Sequence, residues 1–217
     1  MRTGHGALYL SIAVIGLLAW TIGVTPVGHR DRMGFPTTHQ DGPAQEESIE
    51  SALRQARHLA DELLDKVRQL LLTELERGGY EGAVRVCSEI AQEIPREIEA
   101  RTGASIRRVS LRYRNPKDIP DEYERQKLEE FEHKHRARAL PDESVEVVRE
   151  DGRAYLRYMR PIFVGPMCIT CHGPKEAIPS SVRAILAEKY PDDRATGYRS
   201  GDVRGAVSVK LPLGSKP

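Results

Sequence analysis

Residues 144–162 read SVEVVREDGRAYLRYMRPI, and their period decides the fold class. Apolar and polar side chains alternate on both sides of Glu150-Asp151-Gly152, a tight-turn signal, so the stretch is expected to form an antiparallel hairpin. A second alternating run precedes it in SIRRVSLRYRNP (105–116), where Val109, Leu111 and Tyr113 share one face and Arg108, Ser110, Arg112 and Arg114 the other. A third, GAVSVKLPL (205–213), puts Val207, Val209 and Leu211 on one side. Three separated alternating runs call for a sheet.

Upstream of Gly103 the period is helical. From Glu46 to Arg77 there is no Gly or Pro, and Ile49, Leu53, Ala56, Ala60, Leu63, Val67 and Leu70 recur at alternating spacings of four and three. That seam suits a parallel homodimer through helix 46–77. It equally suits one amphipathic helix lying on its own domain, because Leu59, Leu64 and Leu71 widen the stripe. Gly78-Gly79 interrupts the pattern, and a second helix is expected over Tyr80–Thr102, kinked at Pro95 and stopped by Gly103. On it Val84, Cys87, Ile90, Ala91 and Ile94 share a face, so the Cys87 thiol is expected to point inward. Charged residues 121–138 and the segment 180–189 read as two further helices. Long helices followed by antiparallel strands make this an α+β domain, with the N-terminal helices packed against one face of the sheet.

The chain has 217 residues, and its 33 basic and 32 acidic side chains are interspersed. No basic stripe able to neutralise a phosphate backbone exists, which excludes nucleic acid as a partner. Ala7–Val24 carries no charge and is long enough to cross a bilayer, with Arg2 on the short side expected to stay in the cytoplasm. Residues 1–27 therefore read as an export signal or membrane anchor. Residues 28–45, rich in Gly, Pro and polar side chains, read as a linker, and 46–217 as the folded domain. The domain is expected on the periplasmic side of a bacterial cytoplasmic membrane.

There are three cysteines, Cys87, Cys168 and Cys171, an odd number in a compartment that oxidises thiols. Two of them lie in GPMCITCHGP (165–174). Thiols two residues apart can add across the two vinyl groups of one porphyrin edge, and the adjacent His172 then lies beneath the iron as proximal ligand. Covalent haem c accounts for every residue of this motif. Zinc held by Cys168, Cys171, His172 and Cys87 is an alternative, although adjacent Cys and His rarely supply two corners of a tetrahedron. A redox CxxC would open a helix in a βαβ unit, which this sequence lacks. With two thiols used, Cys87 is either a small core hydrophobe or the distal iron ligand. His58, His133, His135, Met159 and Met167 are rival ligands, and histidine or methionine is the commoner choice. Arg108, Arg112 and Arg114 are candidates for the haem propionates.

AVRVCSEIA, VSLRYRNP, YLRYMRPIFVGPMCITCHG and YPDDRATGYRSGDVRGAVSV together resemble the exported haem-c proteins with a PAS-like sensor fold first characterised in cyanobacteria. The resemblance covers about Glu46 to Leu213. It implies one covalent haem on Cys168 and Cys171, histidine ligation through His172 and distal thiolate ligation through Cys87. It also implies a redox or small-ligand sensor. A distal thiolate stabilises ferric iron, so reduction is expected to weaken the iron–sulfur bond and open a site for CO or NO. A simple periplasmic electron carrier, with ligands kept in both oxidation states, is the alternative, and a distal thiolate would close the open site that a haem enzyme needs. No kinase, cyclase or methyl-accepting segment follows the domain, so a sensor's output is expected to pass through a partner protein.

Overall fold

The computed structural model describes residues 43–89 and 92–214, with the side chains of all but 43, 44 and 86–89. The expected export segment, nearly all of the linker and the side chain of Cys87 lie outside the described residues.

The element order is α1 (Pro43–Glu89), α2 (Glu93–Thr102), β1 (Ser105–Val109), α3 (Glu122–Arg136), β2 (Ser144–Glu150), β3 (Arg153–Phe163), α4 (Ile169–His172), α5 (Ser180–Lys189) and β4 (Val203–Leu213). The four strands form one antiparallel sheet in the order β1-β4-β3-β2. The class is α+β, as the periodicities require. The hairpin closes where expected, with Asp151 (φ 50°) and Gly152 (φ 76°) both left-handed. Two successive positive φ values match the twist of the flanking strands, which explains the Asp-Gly pair.

One face of the sheet carries Ile106, Leu156, Tyr158, Val207, Val209 and Leu211, packed against Ala56, Leu59, Ala60 and Leu63 of α1 and Ile94 and Ile98 of α2. Thus the centre of the four-three seam, with Ile49, Leu53, Val67 and Leu70 beside it, lies on the domain's own sheet. Leu63 is fully buried, and its truncation to alanine would cost about 2–5 kcal/mol.

The opposite face is covered too, which the sequence reading did not foresee. Val109, Met159 and Ala206 pack against Leu128 and Phe131 of α3. The stripe on this charged helix is only two large residues wide, so its period is faint. Its start is well marked. Asp121 Oδ1 accepts from Glu124 N at 2.7 Å while Glu124 Oε2 accepts from Asp121 N at 2.8 Å, a reciprocal capping box.

Three local features shape the site. As expected, the helix breaks at Gly79, at φ 61° and ψ −159°, a conformation only glycine adopts readily, so that α1 is two helical segments joined at a kink. Beyond the kink, Val84 packs on Val182, Ile185 and Leu186 of α5. Pro95 falls in the first turn of a separate helix, where its missing N–H costs nothing, rather than kinking a continuous one. Finally, β1 stops at Val109, earlier than its alternation suggests, because Ser110 N turns to donate to Asp118 O at 3.0 Å.

Candidate functional site: the CITCH cavity

After β3 the chain turns through Pro166–Cys168, one turn of 3-10 helix, straight into α4, whose four residues are Ile169, Thr170, Cys171 and His172. Gly173 ends it with a close approach. A Cβ there would sit 2.6 Å from Ile169 O and 2.7 Å from its Cγ2, so no larger residue fits without movement. The loop 190–202, which the sequence offered only as a loop, grips this turn. Tyr198 N donates to His172 O at 2.9 Å and Gly197 N to Gly173 O at 2.6 Å. The Tyr198 ring stands edge-on to the imidazole with centroids 6.3 Å apart.

His172 Nδ1 lies 2.7 Å from the carbonyl oxygen of Ala195. A carbonyl only accepts, so Nδ1 carries the proton and Nε2 keeps its lone pair. Burial pushes the imidazole pKa well below its usual value, and the cations Arg114 and Arg204 push it further the same way, against the bond to Ala195. The ring is therefore neutral, the state in which imidazole binds a metal. Arg114 ties the rest together: Nε donates to Asp193 Oδ2 at 3.0 Å and Nη2 to Cys171 O at 2.6 Å. Asp193 Oδ1 in turn accepts from Ala195 N at 2.8 Å.

Two adjoining cavities of about 200 and 220 Å³ open beside this turn, and Val67, Leu71, Arg108, Asp118, Cys168, His172 and Arg204 border both. Cys171, Met167, Leu75, Ala83 and Val84 border the first. Cys168 and Cys171 are each half-buried. The apolar stripe of α1 thus has two zones. Ala56 to Leu63 is closed against the sheet, whereas Val67, at the edge of that core, and Leu71 and Leu75, following at spacing four, stay half-buried and border the first cavity. An apolar wall of this kind suits an apolar ligand.

The opposite wall is cationic. Arg204 is the extra residue of a bulge: Ile162 pairs with Gly205 and Phe163 with Val203, leaving Arg204 between them. A bulge re-aims a side chain. Here it brings Arg204 to the cavity, with Nη1 donating to Ser110 Oγ at 2.7 Å and Arg112 O at 3.1 Å. His172 and Arg204 keep some surface yet are densely surrounded by protein, as groups bordering an internal space are. Burial lowers the Arg204 pKa and raises that of Asp118, which Arg108 and Arg204 oppose.

The sequence candidates separate cleanly. Cys168, Cys171 and His172 meet at one cavity, with Arg108 and Arg114 beside them. Arg112 does not join them; its guanidinium lies 4.0 Å over the Tyr198 ring. Of the rival ligands, His58 is exposed, Met159 is buried under α3, and His135 stands 5.8 Å from the Phe163 ring. Only Met167 of that group borders the cavity among the described residues. No three of the described His, Cys, Asp or Glu side chains converge as a metal cage; the side chain of Cys87, the fourth ligand of the zinc alternative, lies outside the described residues. Arg204 was missed, since alternation alone places it as an ordinary charged residue at a strand start. No described helix is long and apolar enough to cross a membrane.

No curated protein matches the chain. Among solved structures, the chain is similar to the crystal structure of the cyanobacterial heme-protein Tll0287, with 30% sequence identity and a TM-score of 0.54, over 81% of this chain and 99% of that one. Residues 44–212 match the family described as Tll0287-like. The chain belongs to the Tll0287-like family.

Proposed function

We propose that the chain is a covalent haem-c protein, joined to one haem through Cys168 and Cys171, with His172 as proximal and Cys87 as distal iron ligand, and that it works as a redox or small-ligand sensor. The observation that carries this reading is the cavity itself. One wall holds both thiols and an imidazole whose Nε2 lone pair is fixed by the Ala195 bond; a second is the apolar face of α1; a third is cationic. That donor set fits a flat apolar macrocycle with a metal at its centre and carboxylates at one edge. The crystal structure matched is that of a heme-protein, which supports the same ligand here.

Haem would supply a reversible one-electron couple and an axial position open to exchange. The chain's own residues do the rest. Ala195 orients His172, Arg114 anchors the Cys171 carbonyl, and Val67, Leu71 and Leu75 exclude water from the apolar side. On the α1 backbone Cys87 follows Ala83 and Val84, two cavity residues, by four and three positions, the spacing of one helix face. Its segment is joined to the rest of α1 through the Gly79 kink and rests on α5 through Val84. A change at the sulfur therefore has a route to the surface helix α5, which supports sensing. The proposed setting is the periplasmic side of the cytoplasmic membrane, with the N-terminal segment as anchor or signal and the output carried by a partner protein.

The test is the optical spectrum of purified protein, ferric and then dithionite-reduced, with CO added. Sensing predicts six-coordinate low-spin ferric iron and a ferrous form that binds CO. A ferrous form that stays six-coordinate and excludes CO would make the protein an electron carrier instead.

A further inference from the structure

We propose that Arg108 and Arg204 form a carboxylate cradle that holds the two haem propionates, with Asp118 as its internal counter-anion; this rests on the haem reading above. Both arginines border both cavities and both act on Asp118. Neither has a carboxylate within ion-pair distance among the described residues, unlike Arg114, whose Asp193 partner is 3.0 Å away. Two guanidinium groups, Arg204 closely surrounded by protein and Arg108 half-buried, share the space with one half-buried carboxyl and leave an excess of positive charge, and charge withdrawn from water without a partner is costly. A ligand bringing two carboxylates into the same space removes the excess, and the fork geometry of arginine suits them.

The other arginines are already engaged. Arg114 borders the first cavity, but it is paired with Asp193 and its Nη2 is spent on the carbonyls of Cys171 and Ala195. Arg112 is stacked on Tyr198 and borders neither cavity. Arg204 is aimed at the cavity by its bulge beside Gly205, where a Cβ would lie 2.2 Å from Val109 O, so the close strand approach there itself requires glycine.

The test uses holo-protein from a host that matures c-type haem, comparing wild type with Arg108→Gln, Arg204→Gln, Asp118→Asn and Arg112→Gln. The readouts are the propionate bending band in resonance Raman spectra and the midpoint potential as a function of pH. In both cavity arginine variants the band should shift and the midpoint should fall and become pH-dependent as the propionates titrate. At the wild-type midpoint the ferric-to-ferrous ratio should rise roughly tenfold, the effect of a unit charge about 10 Å away at an effective dielectric of about 20. Asp118→Asn should move the midpoint the opposite way, and Arg112→Gln should leave the propionate band unmoved. Should Arg204→Gln fail to fold for want of its bonds to Ser110 and Arg112, Arg108→Gln carries the test, since the Arg108 side chain makes no hydrogen bond among the described residues. Haem-loaded variants with an unmoved propionate band would overturn the cradle and leave haem binding intact. A wild type without a haem absorption band would overturn both.

Discussion

His172 and Ala195 are 23 positions apart in sequence and 2.7 Å apart in space, Nδ1 to carbonyl oxygen. That bond decides which imidazole nitrogen is available, and its geometry depends on a loop held by Asp193 and Arg114 rather than on the motif. Asp193→Asn and Arg114→Gln should each keep the haem attached but cost about 1–3 kcal/mol of stability, because each leaves a largely buried polar partner unpaired. Thermal unfolding of holo-protein checks this. Unchanged melting in both variants would mean that the loop is not tied down through this pair.

Gly173→Ala should be poorly tolerated, since Gly173 is buried. The added methyl meets a backbone oxygen at 2.6 Å, which a flexible side chain cannot relieve. A lower yield of haem-loaded protein and a melting temperature reduced by several degrees are expected. Normal loading with an unchanged melt would show that the turn after His172 is looser than described.

Asp121→Ala removes the α3 cap and one partner of the buried Arg157, whose Nη2 lies 2.9 Å from Asp121 Oδ2. A loss of about 2 kcal/mol is expected. Burial works to raise the Asp121 pKa, but the bonds from Glu124 N and Arg157 outweigh it and hold it below the usual value. The native state therefore binds fewer protons than the unfolded one in the acid range. This contribution is complete above the unfolded carboxyl pKa and is lost as pH falls through the folded one. Denaturant midpoints measured from pH 6 downward should converge for wild type and Asp121→Ala at the acid end.

Much of the architecture was legible because it rests on strong local signals. The Asp151-Gly152 turn and the stop at Gly103 each have a residue-level cause visible in the chain, and helices were expected over 121–138 and 180–189, where α3 and α5 form. What was not legible depended on tertiary pairing. The two-residue stripe of α3 gave no hint that it covers a second sheet face, and the bulge that brings Arg204 to the cavity exists only once β3 and β4 are aligned. The four-three spacing of α1 was real but could not say whether a second chain or the domain's own sheet would fill it. For the site, CxxCH named three residues, and a charged strand face named Arg108, Arg112 and Arg114. Only the structure separated Arg108 and Arg114 at the cavity from Arg112 on Tyr198.

Cys87→Ala should leave haem attached through the other two cysteines while converting low-spin ferric iron to a high-spin or water-ligated form. Electronic absorption and paramagnetic resonance report this directly. A variant spectrum identical to wild type in both oxidation states would make Cys87 a core residue, and the route from sulfur through Val84 to α5 would carry no signal.

The measurement that bears most directly on the central claim is intact mass combined with haem staining after denaturing electrophoresis, for wild type and Cys168→Ala/Cys171→Ala expressed with c-type maturation. The account predicts that wild type retains haem through denaturation, with a mass increase of one haem per chain, and that the double variant retains none. Wild type that runs at its bare polypeptide mass without stain, in a host that matures a control cytochrome, would contradict covalent attachment at Cys168 and Cys171.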